Sequence, residues 1–287
     1  MDAIAKNVYI EERFPGVTLG VIVQSRGLIQ IDAPPAPEDG RSWRASLMGM
    51  GNGHDRVLVN LDSHPDRTLG VRAMDCTVIA HEQTARAFQN RPNTFKAQGD
   101  ETGANWEAIP GLGSVRWAPP EIAFESQMSL HWSDTPVIIE SHPGPTMGAI
   151  WVILPEEKVV FIGDAVMKGE PPFLAHADIP SWLETLDYLQ GGDFKGYTVI
   201  SGRSGSVSWQ AIRSQAELLK KIHTKIEKLG KKRSASATAT DKLAASVLKE
   251  FKSPVSKQQQ YSHRLRFGLR NYYARHYASG SPNVVDE

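Results

Sequence analysis

Residues 58–70, LVNLDSHPDRTLG, decide how this chain is read. An apolar strand run gives way to a turn that sets Asp62, His64 and Asp66 at every second position, with Arg67 directly after. In open α/β sheets the C-terminal edge of the strands is where sites are built. Side chains at alternate positions of an extended chain share one side, so the spacing suits ligands that converge on one metal ion.

Strands and helices extend outward from that turn. On its N-terminal side, 7–32 reads as two or three strands, NVYIEE, VTLGVIVQS and LIQIDAP, with Gly16 and Arg26-Gly27 as hairpin turns. The last ends on Asp32, placed to face a site or to cap the next turn. A loop from Pro34 leads into a helix, RSWRASLMGM, with an apolar stripe. On the C-terminal side, a strand over 77–80 precedes a helix over 81–89 that His81 begins. Residues 90–118, rich in Asn, Gly, Pro and Gln, form a surface excursion long enough for a lid or a dimer contact. Strands follow over 127–132, 135–140, 149–154 and 158–162, then an amphipathic helix over 178–190. A strand over 197–201 ends in Gly202-Arg203-Ser204-Gly205, ahead of a long helix over 208–229. GKKRSASATAT is a flexible polar linker, and helices over 241–251 and 257–277 follow it. The organisation read from this is a body over 1–229, a linker over 230–240 and a basic, aromatic-rich helical extension over 241–287.

At 287 residues the chain can bury a large core, and its 40% hydrophobic and 22% charged residues are those of a globular protein. The formal net charge of zero hides an asymmetry. Residues 215–287 hold 15 Lys/Arg against 6 Asp/Glu, a balance of +9, so residues 1–214 carry −9. A tail that interleaves Arg with aromatics, YSHRLRFGLRNYYARHY, is read as packing on this acidic body or on a second copy, which makes a homodimer an expectation. Nucleic acid is not the expected partner. One cysteine, Cys76, excludes an internal disulfide framework and cysteine-rich metal sites, and no Cys/His pair is visible for a thiol nucleophile. Ser204 lacks the strand–Ser–helix setting of a nucleophile elbow. No apolar run reaches the length of a membrane span and residues 1–9 lack a signal-peptide core, so a cytoplasmic protein without a membrane partner is expected.

The central turn resembles the first metal motif of the metallo-β-lactamase superfamily, His-x-His-x-Asp-His, with Asp62 and Arg67 in place of its first and last histidines. Further segments resemble the family in the same order over 7–210. GVTLGVIVQSRGLIQIDAP looks like its opening strands, and LPEEKVVFIGDAV like the strand pair that delivers its bridging aspartate, here Asp164. HPGPTMGAI is similar to the segment of the third histidine, here Pro145, and SGRSG stands where the family has Pro-Gly-His-Gly, here Arg203. The resemblance implies an α+β fold, an αββα four-layer sandwich with a site at one edge between the two sheets. It also implies a remaining ligand set of Asp62, His64 and Asp164 for one divalent ion, with zinc, manganese and iron all compatible. Arg67 and Arg203 replace both histidines of the second metal. A guanidinium has no acceptor lone pair and binds no cation, so that metal is not expected.

Two functions remain open at this point. In the first the chain is a hydrolase of small esters, lactones, thioesters or phosphates. One metal at Asp62/His64/Asp164 activates water, Asp66 orients it, and Arg67 with Arg203 holds an anionic or ester-type substrate. In the second the chain is a metal-free pseudoenzyme that binds a small anion or a protein partner. Arg67 and Arg203 then pair internally with Asp66 and Asp164, and Asp66 caps the helix that follows. His142 and His176 are the spare histidines that a first metal lacking its Pro145 ligand could recruit.

Overall fold

Tight turns before Asp32 and helical crossovers after it build one sheet with two kinds of pairing. Strands β1 (Asp2–Ala5), β2 (Val8–Glu11), β3 (Leu19–Val23) and β4 (Gly27–Ile31) pair antiparallel. Strands β5 (Asp55–Val59), β6 (Thr77–His81) and β7 (Ile122–Phe124) then add in parallel, in the order β1-β2-β3-β4-β5-β6-β7. Parallel neighbours need long returns. Helix α1 (Pro37–Ser46) lies between β4 and β5, and α3 (Glu82–Asn90) between β6 and β7. A one-turn helix, α2 (Pro65–Thr68), follows β5 and holds the central motif. The computed structural model describes residues 1–51, 53–96, 102–231 and 237–277.

The second sheet holds β8 (Gln127–Leu130), β9 (Val137–Ser141), β10 (Ile150–Leu154), β11 (Val159–Phe161), β12 (Thr198–Ser201) and β13 (Gly205–Val207). Its order is β13-β12-β11-β10-β9-β8, and only β11 and β12 run parallel, joined through α4 (Ile179–Leu189). Alternation along the strands sorts the layers. Ile29, Ile31, Val57 and Val59 of the first sheet pack against Val152, Leu154 and Phe161 of the second. Their neighbours Leu28, Leu58 and Val78 face outward onto Trp43 of α1. On the far side, Trp151, Ile153 and Val160 pack under Trp182 and Leu186 of α4 and under Leu219 of α5 (Trp209–Lys231). The αββα sandwich expected from the sequence is the fold observed.

The tail is part of that outer layer. Leu243 and Val247 of α6 (Ala237–Leu248) and Leu265 and Leu269 of α7 (Val255–Tyr277) join the same apolar cluster as the second sheet. Helix α5 continues through Lys231 and α6 starts at Ala237, so the polar linker is shorter than composition suggested, and its remaining stretch, 232–236, lies outside the described residues. The excursion over 90–118 is also folded where it is described. Phe95 stands edge-on to Trp106 and Trp117, forming a small core with Leu112 and Val115, while 97–101 lie outside the described residues. No helix among the described residues is long and apolar enough to cross a membrane.

Candidate functional site

Four strand ends meet at one edge between the sheets. β4 runs into Asp32, β5 into Asp62, β11 into Asp164 and β12 into Arg203. Asp32 adopts φ +58, turning out of its strand, and its Oδ1 accepts the Leu61 amide at 3.0 Å. It therefore faces the site, as one of the two sequence expectations had it, and ties the end of β4 to the turn after β5. Asp62 Oδ1 accepts the His64 amide at 2.8 Å, and His64 Nδ1 accepts the Asp66 amide at 3.2 Å as the N-cap of α2. The cap is thus His64 and not Asp66. The Asp66 carboxylate instead accepts the amides of Trp106 (2.6 Å) and Asn105 (3.2 Å) from the 90–118 excursion.

Two guanidinium groups fill the centre. Arg67, its side chain 1% exposed, donates from Nη1 to Asp32 Oδ2 at 2.7 Å and from Nη2 to Asp164. Its Nε lies 2.9 Å from Asp62 Oδ1 but off the N–H direction, so that contact is an ion pair without a hydrogen bond. Arg203 donates from Nε to both Asp164 oxygens (3.0 and 2.9 Å) and from Nη1 to Asp66 Oδ2 (2.6 Å) and to the Gly16 carbonyl (3.0 Å). Its Nη2 stands 3.0 Å from His64 Nδ1. With two donors on Nδ1, the neutral imidazole carries its proton on Nε2. Charge-assisted pairs of this kind are the strong ones in a dry interior.

Charge balance explains the titration behaviour. Four carboxylates face two guanidiniums. Burial pushes against charge at every one of them, but Arg203 and Arg67 still hold Asp164 far below the usual carboxylate range, and Arg203 lowers Asp66. The surplus negative charge falls on Asp32 and Asp62. Burial raises Asp32 to about 6 against the pull of Arg67, and it raises Asp62 as well. Burial, with Arg203 beside it, pushes His64 down to about 3, so the ring is neutral at ordinary pH.

This arrangement does not fit the metal that the superfamily resemblance implies. Each of Asp62, Asp164 and Asp66 has its carboxylate turned to a guanidinium, and His64 Nδ1 is taken by Arg203. Among the described residues no three His, Cys, Asp or Glu side chains are placed to hold an ion. The expected set Asp62/His64/Asp164 comes together in space but not as ligands. The spare histidines do not complete it. His142 stacks on Trp151 at 3.8 Å with Nε2 by Glu140, and His176 lines a cavity beside the cage. Gly202 packs its backbone on the Arg67 guanidinium, where an added Cβ would sit 2.8 Å from Nη1. Gly202 therefore makes room for Arg67, and neither arginine of the cage is among the residues lining the adjacent cavity.

Beside the cage lies a cavity of 270 Å³ that His64, Pro145, Trp106, Phe173 and Arg264 help to line. Phe173 is shared between the two: its ring centroid lies 4.4 Å from that of His64, 4.5 Å from the Arg203 guanidinium and 4.0 Å from that of Arg264. Helix α7 delivers Arg264, and Gln260 one turn earlier donates to the Asn105 side chain at 2.6 Å, which ties α7 to the loop over Asp66. Sequence reading missed Arg264. A signal was present: Tyr261, Arg264, Leu265, Gly268, Leu269 and Tyr272 are the buried positions of α7 at helical spacing, so Arg264 lies on the apolar stripe.

Comparisons with known proteins agree with this fold. The model of the metallo-beta-lactamase superfamily matches residues 64–195. No curated protein matches the chain in sequence. A metallo-beta-lactamase from Pontibacter korlensis superposes with a TM-score of 0.59 at 16% identity, covering 76% of this chain and 97% of that one. One from Erythrobacter litoralis gives 0.57 at 17% identity, covering 77% and 95%. A stereoselective inverting sec-alkylsulfatase from Pseudomonas sp. gives 0.64 at 14% identity. That match covers 96% of this chain, tail helices included, and 49% of the sulfatase, so the chain spans about half of that protein. The chain thus has the metallo-β-lactamase fold, and over 64–195 it matches the model of that superfamily.

Proposed function

We propose that this chain is a metal-independent member of its superfamily, a binding protein that takes a small ligand in the cavity beside His64. The observation that carries the reading is the cage itself: Arg67 and Arg203, each with its side chain 1% exposed, occupy the carboxylates that a metal would need. A guanidinium cannot polarise a substrate as a Lewis acid, nor lower the pKa of a bound water as a metal does, so the metal-activated route to hydrolysis has no assembled machinery here. What remains open to a small molecule is the cavity with the His64 Nε2–H at its edge. The reading is tested by elemental analysis of the full chain, purified without added metal and again after incubation with Zn²⁺ or Mn²⁺. Substoichiometric metal in both samples and an unfolding midpoint indifferent to chelator are expected. About one metal per chain, lost in the Asp62→Ala/His64→Ala double variant, would overturn it.

A further inference from the structure

The cavity wall contains a buried cation with a donor to spare. The described lining includes Arg91, Arg264 and Arg275 and no carboxylate. Arg264, its side chain fully buried, donates from Nε to the Gly103 carbonyl at 3.0 Å. Its Nη1 donates to Glu170 Oε2 at 2.6 Å and to the Pro171 carbonyl at 3.0 Å, while Nη2 has no partner. The Thr146 hydroxyl in the same wall is buried and unpartnered too. His64 Nε2 has no partner among the described residues and belongs to a ring that lines the same cavity. Folded proteins leave few buried donors unpaired, and those that stay so ask for an explanation, such as a bound group that satisfies them.

The rest of the wall is apolar. Phe173, Trp106, Phe267, Leu174 and Ala87 give a ligand body hydrophobic surface, and the 270 Å³ volume is at the small end of ligand pockets. The close fit of α7 to the body fixes Arg264 in this wall. Gly268 fits tightly, since an added Cβ would meet the Leu174 backbone at 3.2 Å, and Gly103 leaves no room, since one there would meet the Arg264 amide at 2.5 Å.

We infer that the cavity binds an organic monoanion, its head accepting from Arg264 Nη2, Thr146 Oγ1 and His64 Nε2 and its apolar body lying against Phe173, Trp106 and Phe267. The inference rests on the metal-free reading above, because it needs His64 Nδ1 held by Arg203 so that Nε2 carries the proton. One anionic head is matched to the free edge of Arg264, whose other edge already answers Glu170.

The test is isothermal titration calorimetry on the full chain, with metal content measured on the same sample. The probes are octanoate, octyl sulfate, octanol and inorganic phosphate. One octanoate or octyl sulfate per chain is expected, with octanol and phosphate bound at least about tenfold more weakly. The two acids together distinguish a carboxylate from a sulfate head, and either supports the inference. Arg264→Gln is expected to weaken acid binding about tenfold or more, and Thr146→Val several-fold. The second variant removes no side-chain hydrogen bond of the unliganded protein, so it keeps the test decisive if the first fails to fold. No binding of either acid, binding equal to that of octanol, or affinities unchanged in both variants would overturn the inference. A stoichiometric metal removed by Asp62→Ala would overturn the reading beneath it, whereas a metal-free chain that ignores every probe overturns the inference alone.

Discussion

Arg203 and Arg264 both stack on the Phe173 ring, yet the two regions they belong to are wired in opposite ways. In the cage, Arg67 and Arg203 meet carboxylates on almost every side, and acid outnumbers base. In the cavity wall, Arg264 has one carboxylate, Glu170, and a donor left over. The difference teaches where chemistry can still happen. A saturated cluster of buried charge has nothing left to offer a substrate and acts as a cross-link between strand ends. An unsaturated one can take a ligand. The motif that identifies the fold therefore marks the cross-link, and the binding chemistry lies beside it.

The largest effect comes from breaking the cage. Arg67→Met would leave Asp32, Asp62 and Asp164 buried without their shared counter-charge. The expected cost is about 3–5 kcal/mol, the usual penalty for removing one partner of a buried pair. Urea unfolding followed by circular dichroism checks it. A variant that keeps wild-type stability and loses only ligand affinity would make Arg67 a clamp and erase the contrast between the two regions.

The fold and the position of the cage were legible in the sequence because they depend on order and spacing. The strand run before Asp62, the Asp164 segment and the turn at Arg203 appear in sequence as they meet in space. The pairing was legible only in part. Asp66 and Asp164 were expected partners for the arginines, but Arg67 goes to Asp32, Asp62 and Asp164, because Asp32 turns inward at a positive φ that no local pattern announces. Of the two roles open to Asp66, the N-cap falls to His64, which the sequence did not mark for it, and Asp66 is left for the loop over it. The cavity was not legible from the motif, since its walls come from segments as distant as 63–65, 145–148, 173–176 and 264–275. Only the misplaced Arg on the α7 stripe pointed to it.

The cage also sets opposing pH dependences. His64 is pushed from its usual 6.5 to about 3 in the fold, so its contribution to stability is present above pH 6.5 and is lost as pH falls towards 3. At pH 5 that loss is about 2 kcal/mol. Asp32 is raised from 3.8 to about 6, so its contribution is present below 3.8 and is lost as pH rises through 6. The two slopes oppose each other between pH 4 and 6. In His64→Asn, which keeps an acceptor for the Asp66 amide, the acid-side loss should vanish and leave stability falling with rising pH over that window. Thermal unfolding of both proteins from pH 4 to 7.5 checks the sign. An unchanged profile would mean that the ring is not held neutral by the cage.

A smaller perturbation asks how firmly Arg67 is pinned. In Gly202→Ala the new methyl would approach Nη1 to 2.8 Å. A free arginine would swing aside at little cost, but one tied to three carboxylates resists, and overpacking of about 1–2 kcal/mol is expected. Octanoate affinity should not change, because Gly202 lies behind the cage and away from the cavity. A loss of affinity without a loss of stability would show the two regions to be one.

The smallest effect separates the regions most cleanly, because its sign differs between two readouts. Thr146 Oγ1 is buried in the cavity wall with no partner, so the unliganded protein carries an unsatisfied hydroxyl. Thr146→Val removes that group at nearly constant volume, and the unliganded chain should be unchanged or more stable by up to about 1 kcal/mol. Acid affinity should fall several-fold in the same variant, since the head loses one of its donors. A residue that merely packed would leave affinity alone, and one whose hydroxyl was already satisfied would lose stability on substitution. A gain in one measurement against a loss in the other is the signature of a group kept unsatisfied for a ligand, which no side chain of the saturated cage can show.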